Sequence, residues 1–277
     1  MITKRDKLLN GWPRALLGCA IALLFVFPFY WMLVTSLKPN GDTMRYPPEF
    51  FPWPPSITSF QEAWTRVPML RFAINSVIVT GGVLAMQMPL VSMAAYAFSQ
   101  FDFKGKKALF TLCLCAMMIP GQVTFLPNFL TMKQLNWLDT YWALIVPFAT
   151  SAYGIFLLRQ AFMQVPKDLI NAARLDGASH LQVIFHVLVP IAKPVITTVA
   201  LFSFISHWNS YFWPLVATNS DAVRTLPVAL AMLRDGDSRQ SWGTLMAGNM
   251  TVVMPVLAVF LLFQKNLVKS FSQGAMK

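Results

Sequence analysis

The sequence predicts an all-α membrane protein with about six transmembrane helices and both termini in the cytoplasm. Three observations carry this prediction: the composition, the length of the apolar runs and the distribution of Lys and Arg. Of the 277 residues, 56% are hydrophobic and only 12% are charged, about half the charged fraction of a typical soluble domain. The apolar residues also form runs that could cross a bilayer core, which takes about 20 residues per helix.

Six apolar runs are candidate spans: 15–37, 72–99, 108–131, 141–160, 194–217 and 242–263. They predict one transmembrane domain over 15–263, between a cytoplasmic N-terminus (1–14) and a cytoplasmic tail (264–277). Each run contains a proline, which frees a backbone carbonyl and bends a membrane helix. Bent helices around a central path are one interpretation, and prolines without a functional role are the other.

The net charge of +11 does not indicate nucleic-acid binding, because Lys and Arg lie in the connections between apolar runs rather than in one cluster. One set of connections holds 14 of these residues and the other set holds eight. The first set comprises 1–14, 100–107, 159–193 and 264–277. Because cytoplasmic loops carry the excess of Lys and Arg, the loop 159–193 is predicted to be cytoplasmic.

No enzymatic chemistry or metal site is predicted. The histidines show no Ser/His/Asp or metal-ligand spacing, and we expect His180 and His186 to be solvated. The cysteines match no metal or redox motif, so Cys19, Cys113 and Cys115 are interpreted as small buried hydrophobic residues. The chain also lacks a Gly-x-x-x-x-Gly-Lys-Ser/Thr loop for nucleotide phosphates, so we expect no cofactor in this chain.

The connection after the first run is rich in proline and aromatic residues and leads into an amphipathic segment. Ser59 and Glu62 form a capping-box pattern, which predicts that a helix starts there. Apolar residues follow at the spacing of one helical face: Phe60, Ala63, Trp64 and Val67. We expect a short helix on the outer leaflet, with Trp53 and Trp64 at the interface. Contact with an external partner is the alternative.

The loop 159–193 contains the most informative pattern. Pro166 suits the first turn of a helix, and Asp168 suits the positive end of its dipole. Gly177 is placed to end that helix in a left-handed conformation. Ser179 and Gln182 then form a second capping box. The pattern predicts a helix, a glycine turn and a second helix that projects into the cytoplasm.

This helix pair has the features of a docking element. Ala172 and Ala173 allow close approach of another backbone, and Leu169, Ile170 and Leu175 add apolar surface that a solvated loop would not need. A loop that folds back on its own helical bundle is the alternative.

The run Asn171-Ala172-Ala173-Arg174-Leu175-Asp176-Gly177-Ala178, followed by Val187-Leu188-Val189-Pro190, resembles the EAA loop of binding-protein-dependent ABC importer permeases. It is most similar to the carbohydrate-uptake branch, the maltose and glycerol-phosphate permease type, and the resemblance extends over the whole chain. It implies the type I ABC importer permease fold, in the inner (plasma) membrane of a bacterial cell. Asn171 stands where the family has Glu.

The resemblance also implies partners. They are a second homologous permease subunit, a cytoplasmic ABC ATPase dimer that binds ATP and Mg, and an extracytoplasmic substrate-binding protein. The residues implied to couple to the ATPase are Asn171, Ala172, Ala173, Arg174, Leu175, Asp176, Gly177 and Pro190.

Polar residues in the spans are candidates for a transport path, since such residues usually face a bundle interior or an aqueous cavity. We single out Asn75, Gln122, Asn128, Tyr153, Trp208, Asn209 and Tyr211, with Gln87 and His207 as further candidates. Amide, hydroxyl and aromatic groups suit a neutral polyhydroxylated solute such as a sugar. An interhelical hydrogen bond, worth about 1 kcal/mol, is the alternative role for each.

Three alternative functions remain at this stage. A glycerol-phosphate importer would need a cationic site along the path, and no Lys or Arg lies deep in a predicted span. A secondary transporter would be expected to show ionisable residues in its spans and internal repeats. A membrane scaffold would need the loop only for docking.

Overall fold

The computed structural model describes residues 12–39, 42–235 and 242–275, and every regular element in these ranges is a helix, as predicted. The helices are α1 (Trp12–Ser36), α2 (Thr58–Arg66), α3 (Met69–Gln100), α4 (Lys106–Ala116), α5 (Gly121–Gln134), α6 (Tyr141–Ile145), α7 (Ala152–Met163), α8 (Lys167–Leu175), α9 (His180–Ile191), α10 (Lys193–Trp208), α11 (Phe212–Ala217), α12 (Leu226–Asp235) and α13 (Trp242–Ala275). Short 3-10 turns occur at Asp42–Met44 and Val146–Phe148.

Three of these helices are long and apolar enough to cross a membrane without a break: Ala15–Ser36 of α1, α3, and Trp242–Gln264 of α13. Three helix pairs qualify only when both members are taken together, because each pair is bent at a short break. The bend is 98° between α4 and α5, 43° between α6 and α7, and 90° between α9 and α10. Counting each pair as one span gives six in the described ranges, in agreement with the prediction.

The breaks correct the predicted outlines of the shorter spans. The run 108–131 is divided at Pro120, which precedes α5 and lacks the N–H that would continue α4. The run 194–217 ends as a helix at Trp208, and α11 begins only at Phe212. By contrast, Pro28, Pro89 and Pro255 lie inside continuous helices.

By contacts the chain forms two compact units, and the first comprises 1–68 and 230–253. Within this unit α2 begins at Thr58, so the predicted capping box at Ser59 is wrong: Ser59 is buried one residue inside the helix. Its burial reflects the close approach of Gly243, where an added Cβ would lie 2.4 Å from the Ser59 hydroxyl. Glu62 instead accepts a hydrogen bond from the Thr244 hydroxyl at 2.6 Å.

The predicted apolar face of α2 is buried only in part. Ala63 and Val67 are buried, whereas Trp64 is exposed on the chain surface, as is Trp53 in the preceding loop. Exposed indole rings on a membrane protein are typical of the interface between water and lipid. The loop itself folds onto the end of α1, where the Tyr30 hydroxyl donates to the Phe50 carbonyl at 2.6 Å.

The second unit comprises 69–229 and 254–277, and α3, α7 and α10 form its centre. The three helices meet at Gly154 of α7. A Cβ there would lie 3.0 Å from a methyl group of Val91 on α3 and 3.1 Å from one of Val199 on α10. Glycine therefore allows the backbone of α7 to approach both neighbours closely, which is how membrane helices gain packing contacts without a hydrophobic driving force.

A hydrogen-bonded clasp holds the first turns of α3 in this unit. Asn75 is buried, and its side-chain oxygen accepts from the Tyr141 hydroxyl at 2.7 Å while its nitrogen donates to the Arg224 carbonyl at 2.8 Å. The Ser76 hydroxyl accepts from the backbone N–H of Leu226 at 2.7 Å. These bonds join α3 to the first residues of α6 and α12 and to the loop that precedes α12.

Asp139 strengthens the same clasp from the loop before α6. Its carboxylate accepts the backbone N–H groups of Asn219 and Ser220, both at 2.9 Å. Burial acts to raise the pKa of Asp139, but these bonds and the nearby Arg224 outweigh it and hold the pKa below its ordinary value. Its φ of 60° is a left-handed conformation that Asp and Asn adopt more readily than other side chains.

A lowered pKa makes this contribution to stability depend on pH. It is complete above the unfolded-state pKa, about 3.9 for Asp, and is lost as pH falls through the lower folded-state pKa. We expect Asp139→Asn to be less stable than the wild type near pH 6 and the difference to shrink below about pH 4. Thermal unfolding of both proteins between these pH values tests this, and a difference independent of pH would contradict it.

The cysteines are not buried as predicted. Cys19 and Cys115 are exposed on this chain, and Cys113 is half-buried against the core of the second unit. The helices α1 and α4 present most of their side chains outward, and small apolar side chains such as Cys are compatible with a lipid-facing or partner-facing surface.

Candidate functional site

The helix α8, which holds the motif of the predicted cytoplasmic loop, has two distinct faces. Ile170 is 3% exposed and packs with half-buried Ala173 in the core of the second unit. The opposite face carries side chains at i, i+3, i+4 and i+7, all exposed: Asp168, Asn171, Ala172 and Leu175. Leu175 is 89% exposed. The prediction that Ile170 adds exposed apolar surface is therefore wrong, and the prediction for Leu169 and Leu175 is confirmed.

The glycine turn after α8 has the predicted geometry. Gly177 has φ +83°. The N–H of Gly177 donates to the Arg174 carbonyl and the N–H of Ala178 to the Ala173 carbonyl, both at 3.0 Å. This bond pair is the Schellman motif, in which a left-handed residue satisfies the last carbonyls of a helix. It ends α8 directly after the exposed Leu175.

The second capping box is also present. The Ser179 hydroxyl accepts the N–H of Gln182, and the Gln182 side chain accepts the N–H of Ser179 at 2.8 Å. The helix that follows contains a π-helical segment, Val183–Leu188, which the sequence did not predict. The exposed Pro190 follows this segment, and because it has no N–H it cannot continue regular α-helical bonding to the residues before it.

Tyr96 connects α8 and α9 to α3. Its hydroxyl oxygen is 2.9 Å from a guanidinium nitrogen of Arg174 and 3.0 Å from Nδ1 of His180. Tyr96 is 2% exposed, and Phe101 packs against both the Tyr96 and the His180 ring, at 5.3 Å and 5.2 Å between centroids. His180 and His186 are both exposed as predicted, and the ring of His180 in addition contacts Tyr96 and Phe101.

The adjacent helix ends cap one another. The Nε of Arg159, in α7, donates to the carbonyl of Phe98 in the last turn of α3 at 3.1 Å. In the other direction, the side chain of Gln100, in α3, donates to the carbonyl of Phe162 in the last turn of α7 at 3.2 Å. Carbonyls in the last turn of a helix lack partners further along that helix, and both bonds help to satisfy them; the Phe162 carbonyl also accepts the N–H of Val165. The ends of α3 and α7 beside α8 are thus held in a defined register.

A cavity of about 340 Å³ lies among α3, α7 and α10, within the second unit. Its volume is at the lower end of the range for small-molecule sites, roughly 300–1,000 Å³. The residues that line it are Gln87, Ser151, Tyr153, Val199, Phe202, Ser203, Ser206 and His207. These lining residues offer hydroxyl groups, an imidazole and aromatic rings, and they include no Lys, Arg, Asp or Glu.

The cavity lies beside the break between α6 and α7. Gln87, near the middle of the 32-residue α3, donates to the Phe148 carbonyl at the break at 3.0 Å and accepts from the Ser203 hydroxyl at 2.6 Å. Ser151 caps α7 by accepting the N–H of Gly154. Irregular backbone at the middle of a span is tolerated where it lines a cavity, and in transporters such breaks are typical of solute sites.

The predicted path residues do not all meet at this cavity. Tyr153 lines it, together with the further candidates Gln87 and His207. Asn75 lies in the clasp, with protein partners on both atoms of its amide. The other five lie elsewhere. Gln122 is exposed at the start of α5, Asn128 is half-buried in the same helix, and Tyr211 is exposed before α11. Trp208 is buried and stacks on Phe204, and Asn209 donates to the Ile205 carbonyl.

Three serines of the cavity and Tyr96 were not among the residues predicted from the sequence. Ser203, Ser206 and His207 stand at i, i+3 and i+4, which places them on one face of α10, and this spacing was a usable signal. Ser151 precedes a helix and would have been identified only as its cap. Tyr96 gave no local signal, because its partners lie about 80 positions away in the sequence.

The family described as "Binding-protein-dependent transport system inner membrane component" matches residues 87–273, a range that contains α8 and the cavity. The trehalose/maltose transport system permease protein MalG of Thermococcus litoralis is 32% identical, and the match covers 93% of both chains. The probable ABC transporter permease protein YurM of Bacillus subtilis is 31% identical over 92% of this chain and 85% of YurM.

The fold is also similar to that of solved chains. A chain of a bacterial ABC transporter involved in the import of the acidic polysaccharide alginate superimposes with a TM-score of 0.83 at 23% identity, covering 96% of this chain and 98% of that chain. A chain of a bacterial alginate ABC transporter in complex with a pentasaccharide-bound periplasmic protein gives 0.63 at 16% identity, covering 94% and 93%. At these identities the likeness shows the fold.

Proposed function

The chain belongs to the family of binding-protein-dependent transport system inner membrane components, and from that premise we propose that it is the permease subunit of an ABC importer for a sugar or sugar-like solute. In this proposal the chain provides part of the membrane path. A separate ATPase subunit hydrolyses ATP, and an extracytoplasmic binding protein delivers the solute.

The observation that carries the proposal is the two-faced helix α8. Its inner face, with Ile170 and Ala173, is packed into the bundle. Its outer face exposes Leu175 almost completely and places the small Ala172 beside it. An exposed apolar side chain with a small neighbour, on a helix fixed to a bundle, fits a protein partner that approaches closely. The docking and fold-back interpretations of the loop thus describe opposite faces of one helix.

Polar groups on the outer face suit the same partner. Asn171, at the position where the family pattern has Glu, is exposed beside Asp168 in the first turn of α8. We propose that Asn171 hydrogen-bonds to the ATPase and that Asp168 supplies the negative charge that the family's Glu would provide. Charged and amide groups at the edge of an apolar contact contribute orientation more than affinity.

The cavity supports a neutral polyhydroxylated solute. Hydroxyl groups of Ser206 and Tyr153 exchange hydrogen bonds with solute hydroxyls, and the Tyr153 and Phe202 rings offer faces on which a sugar ring can stack. The lining residues carry no fixed positive charge, which favours a neutral solute over a phosphorylated one. Relatives similar to this chain are described as permease proteins of trehalose/maltose and arabinooligosaccharide systems.

The arrangement accounts for transport by alternating access. The second permease subunit would complete a path that this chain encloses only in part. ATP-driven closure of the ATPase pair would move α8, and the bundle would follow it between inward-facing and outward-facing states. The docked ATPase must favour one of these states by a few kcal/mol for the cycle to be driven.

Reconstitution tests the proposal. The chain is purified with the permease, ATPase and binding-protein subunits encoded beside it, placed in proteoliposomes and supplied with radiolabelled oligosaccharides. We expect uptake that requires ATP, the ATPase and the binding protein together. Uptake driven by an ion gradient without ATP would instead indicate a secondary transporter, and ATPase docking without any uptake would indicate a scaffold.

The cavity makes a more specific prediction. Ser206→Ala and Tyr153→Phe each remove one hydroxyl group, and we expect each to raise the solute concentration that gives half-maximal uptake by about fivefold, the effect of one lost hydrogen bond. Thr124→Ala is the control, because the Thr124 hydroxyl donates to the carbonyl of Gly121 in its own helix, outside the cavity. Equal half-maximal concentrations in the wild type and all three variants would show that the cavity is not part of the transport path.

A further inference from the structure

The inner face of α8 ends in a polar contact that the family resemblance does not predict. Ile170, Ala173 and Arg174 share this face, at i, i+3 and i+4. Whereas Ile170 and Ala173 pack among apolar side chains, the guanidinium of Arg174 reaches the hydroxyl of Tyr96, one turn before the end of α3. The link therefore connects the docking helix directly to a membrane-spanning helix.

The Tyr96 hydroxyl connects two loop residues at once. A guanidinium can only donate hydrogen bonds, so the Tyr96 oxygen accepts from Arg174. The same hydroxyl shares a second hydrogen bond with Nδ1 of His180, 3.0 Å away. Arg174 lies at the end of α8 and His180 at the start of α9, on opposite sides of the glycine turn. One buried hydroxyl thus joins both helices of the loop to α3.

The surroundings of this hydroxyl are suited to transmitting force. Tyr96 belongs to the buried core that also contains Ile170 and Ile184, and Phe101 closes over the Tyr96 and His180 rings. At the other end of α3, Asn75 is held by the clasp. Asn75 and Tyr96 are 21 residues apart, or about 31 Å along a helix, close to the thickness of a bilayer core.

We propose that Tyr96 is a positioning residue that couples movement of the docking helix to α3, through the hydrogen bonds Arg174–Tyr96–His180. This inference rests on the proposed function, since it assigns the way in which ATPase movement reaches the span. In this arrangement apolar packing holds α8 against the bundle, and the Tyr96 hydroxyl transmits the displacement of α8 to α3. Loss of the hydroxyl would let α8 move with the ATPase while α3 lags behind.

The test compares two Tyr→Phe variants in the reconstituted complex. Tyr96→Phe keeps the ring and its packing and removes the hydroxyl. Tyr141→Phe removes the matched hydroxyl at the other end of α3, where it donates to Asn75. The measured quantity is the number of solute molecules taken up per ATP hydrolysed, which a merely structural bond would leave unchanged in correctly folded protein.

We expect Tyr96→Phe to lower this ratio by about tenfold, with ATPase activity largely retained, because a hydrogen bond to a charged group is lost. We expect Tyr141→Phe to leave the ratio at the wild-type value, because the bonds from Asn75 to the Arg224 carbonyl and from Leu226 to Ser76 still hold this end of α3. Arg174→Gln tests the same link from the exposed side of the loop. The double variant Tyr96→Phe/Arg174→Gln should be no worse than the more severe single variant, since both changes remove the Arg174–Tyr96 hydrogen bond.

The outcomes separate the inference from the proposed function. A wild-type complex without ATP-dependent uptake would overturn both. Wild-type uptake with an unchanged ratio in Tyr96→Phe, or an equal loss in Tyr141→Phe, would overturn the role of Tyr96 alone. Additive losses in the double variant would also overturn it, because they would show that Tyr96 and Arg174 act through separate contacts.

Discussion

Replacing Gly177 with valine is expected to lower ATP-driven uptake by at least about tenfold while leaving the chain inserted in the membrane. Gly177 has φ +83°, and a β-branched residue in that conformation is strained by about 1–3 kcal/mol. An added Cβ meets no atom within 4 Å, so the cost arises in the backbone and not from a clash. Relief of this strain would unwind the last turn of α8, which carries Leu175 and Arg174.

Gly105 provides a matched control. It has φ +84° with equally open space around its Cβ position, and it lies in the turn before α4. Gly105→Val should cost similar thermal stability but retain uptake per folded molecule. Gly177→Asn should restore much of the uptake, because Asn tolerates the left-handed conformation. Equal losses of uptake in Gly105→Val and Gly177→Val would show that the effect is general destabilisation.

Replacing Leu175 with glutamate is expected to weaken assembly with the ATPase by about thirtyfold or more. The side chain is 89% exposed on the outward face of α8, so the fold of this chain should tolerate the change. In the assembled complex the same position would be buried, where lost apolar contact and an unpaired charge together cost about 2–4 kcal/mol. That cost corresponds to a loss of affinity of about thirtyfold or more, which a pull-down with titrated ATPase measures.

Leu135→Glu is the control for this change. Leu135 is 48% exposed just after α5, in the loop that the distribution of Lys and Arg predicts to be on the other side of the membrane. The same substitution there should leave ATPase affinity at the wild-type value. If Leu175→Glu binds the ATPase as tightly as the wild type, the outward face of α8 is not the docking surface.

Local patterns predicted the elements of the coupling loop well. The Pro166–Asp168 start of α8, the left-handed Gly177 and the capping box of Ser179 and Gln182 are all present. Each depends on hydrogen bonds between residues at most five positions apart, so the sequence contains all the partners. The failed capping box at Ser59 shows the limit of such reasoning, because close approach of Gly243 decides where Ser59 lies.

The cavity was predictable only in part. Tyr153, Gln87 and His207 were identified as polar residues within spans, whereas Asn75, which meets the same criterion, is used to hold α3 in the clasp. A polar residue in a span needs a partner, but the sequence does not say whether that partner is protein or solute. The answer depends on which helices are neighbours and where a helix breaks.

The sequence by itself determined that this is an all-helical membrane protein with about six spans and a helix–glycine–helix loop between two of them. Hydropathy, helical periodicity and capping act within one segment, so they can be deduced from the order of residues. Only the tertiary structure decided that Ile170 faces inward and Leu175 outward, that Tyr96 joins the loop to α3, and that serines of α10 line a cavity. These outcomes depend on contacts between helices distant in the chain, and a helical face alone does not specify what packs against it.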